Sequence, residues 1–213
     1  MSAIPLTLLG KTGETVTRLG LGGEGVLRTY GREDDAVPLI QRAVDLGITY
    51  FDCARAYSGS EEYYGMALGN RRKQIFLCSK THDRTKKGSL RFLETSLKNM
   101  KTDYLDLWQF HDIRTESDLD QASSPGGCLQ AFDEAQKAGS VRFIGITGHF
   151  DPTILVKGIQ LYPFDTILMP VNPCEPHYLS FLEIAATEAR KKNLINGTFS
   201  TGFGNSFFNV LFN

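Results

Sequence analysis

An aspartate, a tyrosine, a lysine and a histidine stand at or just beyond the ends of successive apolar runs. Asp52 and Tyr57 follow Ile48-Thr49-Tyr50-Phe51, Lys80 follows Ile75-Phe76-Leu77-Cys78 after one serine, and His111 follows Tyr104-Leu105-Asp106-Leu107-Trp108-Gln109-Phe110. A tyrosine, with a free pKa of about 10, is a poor proton donor at neutral pH. A nearby ammonium group stabilises the phenolate and lowers that value. Lys80 supplies such a cation, and a carboxylate such as Asp52 keeps a buried lysine charged. A histidine facing the same space donates a hydrogen bond to a carbonyl oxygen and orients it for protonation. Together the four protonate an oxygen as negative charge develops on it, which is what hydride reduction of a carbonyl needs. The hydride has to come from a cofactor, because no side chain donates one.

Residues so far apart in the chain meet only if the strands that carry them lie side by side. From about residue 16 to 192, apolar runs alternate with amphipathic segments. Thr15 to Gly22 reads as a first strand, preceded by Leu6 to Leu9 as a hairpin partner through the turn Gly10-Lys11-Thr12-Gly13. Glu33-Asp34-Asp35 is an acidic helix start, followed by Ile40, Ala43, Val44 and Leu46 and closed by Gly47. Ser60-Glu61-Glu62 opens a second helix that Gly69-Asn70 ends. Leu90, Leu93, Leu97 and Met100 repeat at helical spacing before the strand of His111, and Leu129, Phe132 and Ala135 do so before Val141 to Thr147. A helix near Ile154 to Ile159 precedes a strand from Thr166 to Val171, and Phe181, Ile184 and Ala185 lead a sixth helix into Arg190-Lys191-Lys192.

Six strands, each followed by a helix, imply a parallel sheet covered by helices. An open doubly wound sheet and an eightfold barrel both satisfy that pattern. Gly20-Leu21-Gly22-Gly23-Glu24-Gly25 offers the glycine-rich turn of the open sheet, but no acidic residue stands at the usual ribose-binding spacing. A barrel gathers the C-terminal ends of its strands at one mouth, which suits Asp52, Lys80, His111, Thr147 and Asn172 together.

The 213 residues, 41% of them hydrophobic, are enough for one sizeable core and predict a single domain. A net charge of −1 supplies no footprint for nucleic acid or an anionic membrane surface. No segment is long and apolar enough to span a bilayer, and the start Met1-Ser2-Ala3-Ile4-Pro5 does not resemble a secretion signal. Cys53, Cys78, Cys128 and Cys174 are scattered without metal-type spacing and read as reduced thiols of a cytoplasmic protein. Cys174 and His177 are two ligands at most, so no metal is assigned.

The chain resembles the aldo-keto reductase family. The matching stretches are Leu9 to Gly13 with Arg18 to Gly22, Tyr50 to Tyr57, Ser79-Lys80, Tyr104 to Leu107 with His111, and Ile144 to Thr147, in the family's order over most of residues 6 to 192. The resemblance implies a (β/α)8 barrel, with Tyr57 as general acid, Lys80 and Asp52 as its tuning pair, and His111 orienting the substrate carbonyl. It implies a nicotinamide dinucleotide, usually NADPH, extended over the mouth, and reduction of a small aldehyde or ketone. Gly22, Gly23 and Asp52 would border the cofactor. Thr147 falls where the family usually has a serine on the nicotinamide carboxamide, His149 follows in place of the commoner asparagine, and Asn172 sits near the other carboxamide ligands.

After Lys192 no residue is charged, asparagine, glycine and phenylalanine dominate, and neither helical nor strand periodicity persists. The expected organisation is therefore an incomplete barrel over residues 1–192, with about six β/α units and an N-terminal hairpin, then an atypical tail over 193–213. Such a barrel exposes the edges of its first and sixth strands, which invites self-association. A second reading fits the same residues: a catalytically inactive remnant or binding protein that keeps the site without holding cofactor. Quenching of the lone tryptophan, Trp108, is expected to report NADPH, because its strand carries His111.

Overall fold

The computed structural model of the protein describes residues 4–171, 179–199 and 208–210. Strands β1 (Leu6–Leu8) and β2 (Thr15–Thr17) pair antiparallel as the expected hairpin, with Leu6 opposite Thr17. The predicted first strand breaks at Arg18, whose amide turns back to donate to the Pro5 carbonyl, so β2 stays with the hairpin and β3 (Leu19–Gly22) starts the barrel. Next come β4 (Tyr50–Asp52), β5 (Phe76–Thr81), β6 (Leu105–Phe110), β7 (Val141–Thr147) and β8 (Thr166–Pro170), each parallel to its predecessor.

Helices α1 (Glu33–Asp45), α2 (Ser60–Ala67) and α3 (Lys86–Met100) follow β3, β4 and β5. A pair, α4 (Glu116–Ser123) and α5 (Cys128–Lys137), follows β6, while α6 (Pro152–Leu161) follows β7. A π-helical turn, Leu182–Ala186, runs into α7 (Thr187–Lys191) after β8. These are the six expected β/α units of an incomplete (β/α)8 barrel. Local chemistry sets several starts: Thr115 and Asp118 form a reciprocal capping box on α4, and Asp151 caps α6 ahead of Pro152.

The tail departs from expectation. Ile195–Phe199 forms β9, parallel to β8, and Phe208–Val210 forms β10, antiparallel to both β9 and β3. The sheet closes in the order β10-β3-β4-β5-β6-β7-β8-β9. An antiparallel return needs no crossover helix, so a short stretch suffices where a parallel eighth strand would need a dozen or more residues. The edges of β3 and β8, expected to lie open, are thereby paired with β10 and β9.

Side chains alternate across each strand, and the inward series changes character from base to mouth. Tyr50, Phe76, Cys78 and Leu107 form a small interior cluster with Leu9 and Val16 of the hairpin arm, and Phe143 packs against it. The Tyr50 and Phe76 rings stack at 6.0 Å and the Phe76 and Phe143 rings at 6.2 Å. Two residues further along these strands stand Asp52, Lys80, Gln109 and Gly145, so the apolar plug underlies a polar storey. The outward faces, including Phe51, Leu77, Trp108, Ile144 and Ile146, pack against the helices in the main core.

Close packing between helices constrains the shell as well. A Cβ added to Gly65 of α2 would lie 2.0 Å from the Asn99 carbonyl oxygen on α3. Gly65→Ala is therefore expected to destabilise the fold by about 1–3 kcal/mol through overpacking. Urea denaturation checks this, and unchanged stability would mean that the two helices separate at no cost.

Candidate active site

Asp52 ends β4, Lys80 is the fifth residue of β5, and His111 follows β6 directly. Lys80 is 1% exposed, and its ammonium donates to Asp52 Oδ2 at 2.5 Å and to the Cys53 carbonyl at 2.7 Å. Beyond β4 the backbone continues along the top of β5, with Cys53 N donating to Cys78 O and Arg55 N to Lys80 O. That path delivers the turn holding Tyr57, which Tyr57 N to Ala54 O closes. The Lys80 ammonium lies 4.9 Å from the centre of the Tyr57 ring. The His111 ring stands edge-on to the same tyrosine, 5.8 Å between centroids. Asp52, Tyr57, Lys80 and His111 thus converge on one space at the mouth.

His111 is held by its backbone rather than by its ring. Its amide donates to Thr81 O, and its carbonyl accepts from the Arg84 guanidinium at 2.9 Å. Asp112 next to it takes a left-handed backbone, φ 51°, which aspartate tolerates better than most residues. Its amide donates to the Thr147 hydroxyl at 2.8 Å, tying the end of β6 to the end of β7.

Burial dominates the electrostatics and corrects one expectation. The Tyr57 phenol is pushed up to about 12 by burial, with Lys80 pulling against it and Asp52 and Glu24 adding to the rise. The phenol is thus not acidified at rest, although the neighbouring cation still favours its phenolate. For Lys80, burial works to remove the proton, but Asp52 and Tyr57 outweigh it and hold the ammonium above its ordinary range. His111 is held well below the usual histidine value by burial first and then by its electrostatic neighbours Lys80, His82, His149 and Arg84. At neutral pH the site therefore contains a protonated phenol, an ammonium paired with a carboxylate, and a neutral imidazole. Such an arrangement can donate a proton to an oxygen, with a cation in place to stabilise the phenolate left behind.

The other expected residues divide. Thr147 is buried at the mouth end of β7, where its hydroxyl oxygen accepts from the Asp112 amide and its hydroxyl hydrogen has no acceptor among the described residues. Gly22 ends β3 opposite Asp52. Gly23 is required by packing, since a Cβ there would meet Ser60 Oγ at 2.6 Å and the Asp52 carbonyl at 2.8 Å. His149 is half-exposed, with Nε2 3.1 Å from Asp112 Oδ1. Asn172, Cys174 and His177 lie outside the described residues. Trp108 stacks edge-on against Phe132 of α5 at 4.9 Å, so it faces the helix layer rather than the mouth and is poorly placed to report a ligand there.

Two residues escape a reading of strand ends. Gln109, fully buried, donates from Nε2 to Asp52 Oδ1 at 3.0 Å. Glu61, also fully buried, accepts from Ser79 Oγ at 2.8 Å, Arg55 at 3.0 Å and Asn99 Nδ2 at 3.1 Å. It thereby anchors the residue before Lys80, the loop of Tyr57 and α3 at once. Strand alternation flags Gln109, two residues before His111. Glu61 looks like an ordinary acidic helix start, and only its distant partners reveal it. Glu61→Gln, which replaces an ionised acceptor by an amide, is expected to cost about 1–3 kcal/mol. Chemical denaturation measures it, and wild-type stability would contradict the anchor.

Residues 18–187 match the family model described as the aldo/keto reductase family. The chain is 32% identical over 161 residues to L-galactose dehydrogenase of Arabidopsis thaliana, covering 70% of this chain and 50% of that protein. It is 30% identical over 183 residues to the aldo-keto reductase YhdN of Bacillus subtilis, covering 78% and 53%. Among solved structures, the thermostable aldo-keto reductase Tm1743 in complex with the inhibitor epalrestat superposes with a TM-score of 0.74 at 31% identity, over 92% of this chain and 72% of that one. The chain spans about half the length of the curated relatives it matches. With the family's motifs in order along the strands and their polar residues gathered at one mouth, this chain belongs to the aldo/keto reductase family.

Proposed function

We propose that the protein is an NADPH-dependent oxidoreductase of the cytoplasm that reduces the carbonyl of a small aldehyde or ketone. The convergence of Tyr57, Lys80, Asp52 and His111 carries this reading. The donor set suits a nicotinamide: Thr147 keeps a hydroxyl hydrogen to donate at the mouth, and Gly22 and Asp52 border the same opening. When bound, the nicotinamide supplies the hydride. The neutral imidazole of His111 holds the substrate oxygen, and Tyr57 gives that oxygen its proton as negative charge gathers there. Lys80 stabilises the phenolate so formed, and Asp52 keeps Lys80 charged.

Calorimetric titration of the 213-residue chain with NADPH, followed by turnover of a simple aldehyde, tests the reading. Saturable binding and oxidation of NADPH that depends on the aldehyde support it. Absence of binding supports the other reading, a chain that keeps the four residues without holding cofactor.

A further inference from the structure

The Asp52 carboxylate has two oxygens, and only one faces Lys80. The other, Oδ1, accepts from the side-chain amide of Gln109 at 3.0 Å. Lys80 and Gln109 are register partners on β5 and β6, so Gln109 reaches past the lysine's strand to the carboxylate on β4. Alternate strands of a barrel fill one layer, which puts Asp52 and Gln109 at the same level. Room for this crossing comes from β7: a Cβ on Gly145 would lie 3.0 Å from Gln109 Cγ and 2.5 Å from Thr166 Oγ1. The amide's orientation is set by chemistry, since turning it over would point one acceptor at another.

This arrangement has a cost. The Gln109 carbonyl oxygen is buried and has no partner among the described residues. A half-satisfied amide in a barrel core is worse for stability than an apolar side chain of the same size. Its retention is understandable if the satisfied half does something an apolar side chain would not.

We propose that Gln109 is a positioning residue of the reductase site: its amide fixes the Asp52 carboxylate so that the opposite oxygen stays on the Lys80 ammonium, beneath Tyr57. A carboxylate held at one oxygen only is free to turn about its Cβ–Cγ bond, and the lysine moves with it. Held at both, it keeps the ammonium where the phenolate will form. The proposal rests on the reading of Lys80 and Tyr57 given above as parts of a carbonyl reductase.

The test is Gln109→Met, which preserves volume and removes the donor. Turnover is expected to fall about tenfold to a hundredfold, the range lost with one hydrogen bond to a charged group, while KM and NADPH affinity change little. A second readout needs no activity. The His111 imidazole lies in the field of Lys80, His82, His149 and Arg84, so its proton NMR titration should move upward when Lys80 leaves its place. If the native chain reduces no carbonyl, the reductase reading falls, and the NMR titration alone decides whether Gln109 holds Lys80. Gln109→Glu serves if the methionine variant fails to fold. Facing Asp52 and Lys80, its carboxyl donates to Asp52 only while protonated, so turnover should drop as pH rises in a way the native protein does not show. Turnover within about twofold of native and an unmoved His111 titration in Gln109→Met, or a native pH profile in Gln109→Glu, would overturn the proposal.

Discussion

Replacing Tyr57 by phenylalanine is expected to reduce the turnover of carbonyl reduction by about 10²–10⁴-fold, the usual contribution of a positioned general acid. NADPH affinity should persist, because the phenyl ring keeps its place between the Lys80 ammonium and the His111 ring. The stopped-flow rate of the first turnover is the measurement of choice, since it isolates chemistry from product release. A variant as fast as the native protein would remove Tyr57 from the reaction. The pH dependence has a definite sign. With its phenol at about 12, Tyr57 stays protonated across the neutral range, and the reductive rate declines only as pH climbs toward that value. His111, held well below the ordinary histidine pKa by burial and by Lys80, stays neutral as pH falls through 6.5, so no inflection is expected there.

Asp52→Leu should destabilise the protein by about 3–5 kcal/mol, because it leaves the ammonium of a lysine that is 1% exposed without a counter-charge. The double variant Asp52→Leu with Lys80→Met should recover most of that loss, since an apolar pair of similar volume carries no buried charge. Urea denaturation of the two variants separates the terms, and a single variant as stable as the native protein would show that water reaches Lys80. Folding raises the Lys80 pKa, because Asp52 and Tyr57 outweigh burial. The pair's contribution is therefore fully present below the unfolded lysine value of about 10.4 and is lost as pH rises through the folded one. In Asp52→Leu the penalty shrinks instead as pH rises, because the stranded lysine sheds its proton.

Much of this architecture is legible before any coordinates. Apolar runs ending in polar residues locate β4 to β8, because the same pattern that buries a strand also delivers its last side chain to the mouth. Helices α1, α2, α3, α5 and α6 announce themselves through acidic starts or 3.6-residue spacing, whereas α4 lies in a polar stretch after β6 that reads as loop. What escapes detection depends on partners distant in sequence. Arg18 sits in an unbroken β-like run, and only its bond to Pro5 splits β2 from β3. Glu61 gathers three donors, two of them, Ser79 of β5 and Asn99 of α3, far from it in the chain. The tail shows no period because β9 and β10 are short and rely on the edges of β8 and β3 for their pairing. For the phenol of Tyr57 the missing quantity was a magnitude: the neighbouring cation is visible in the sequence, but the greater effect of burial appears only once the fold surrounds the ring.

Aromatic and aliphatic side chains pack the lower half of the barrel from Leu9 and Val16 up to Leu107. Among the described residues this plug fills the base of the barrel interior and leaves the mouth as the open side of the site. On the proposed reading, a hydrogen ion surrendered by Tyr57 is then replenished through the rim, and whatever covers the rim sets the pace of recharging for the next cycle.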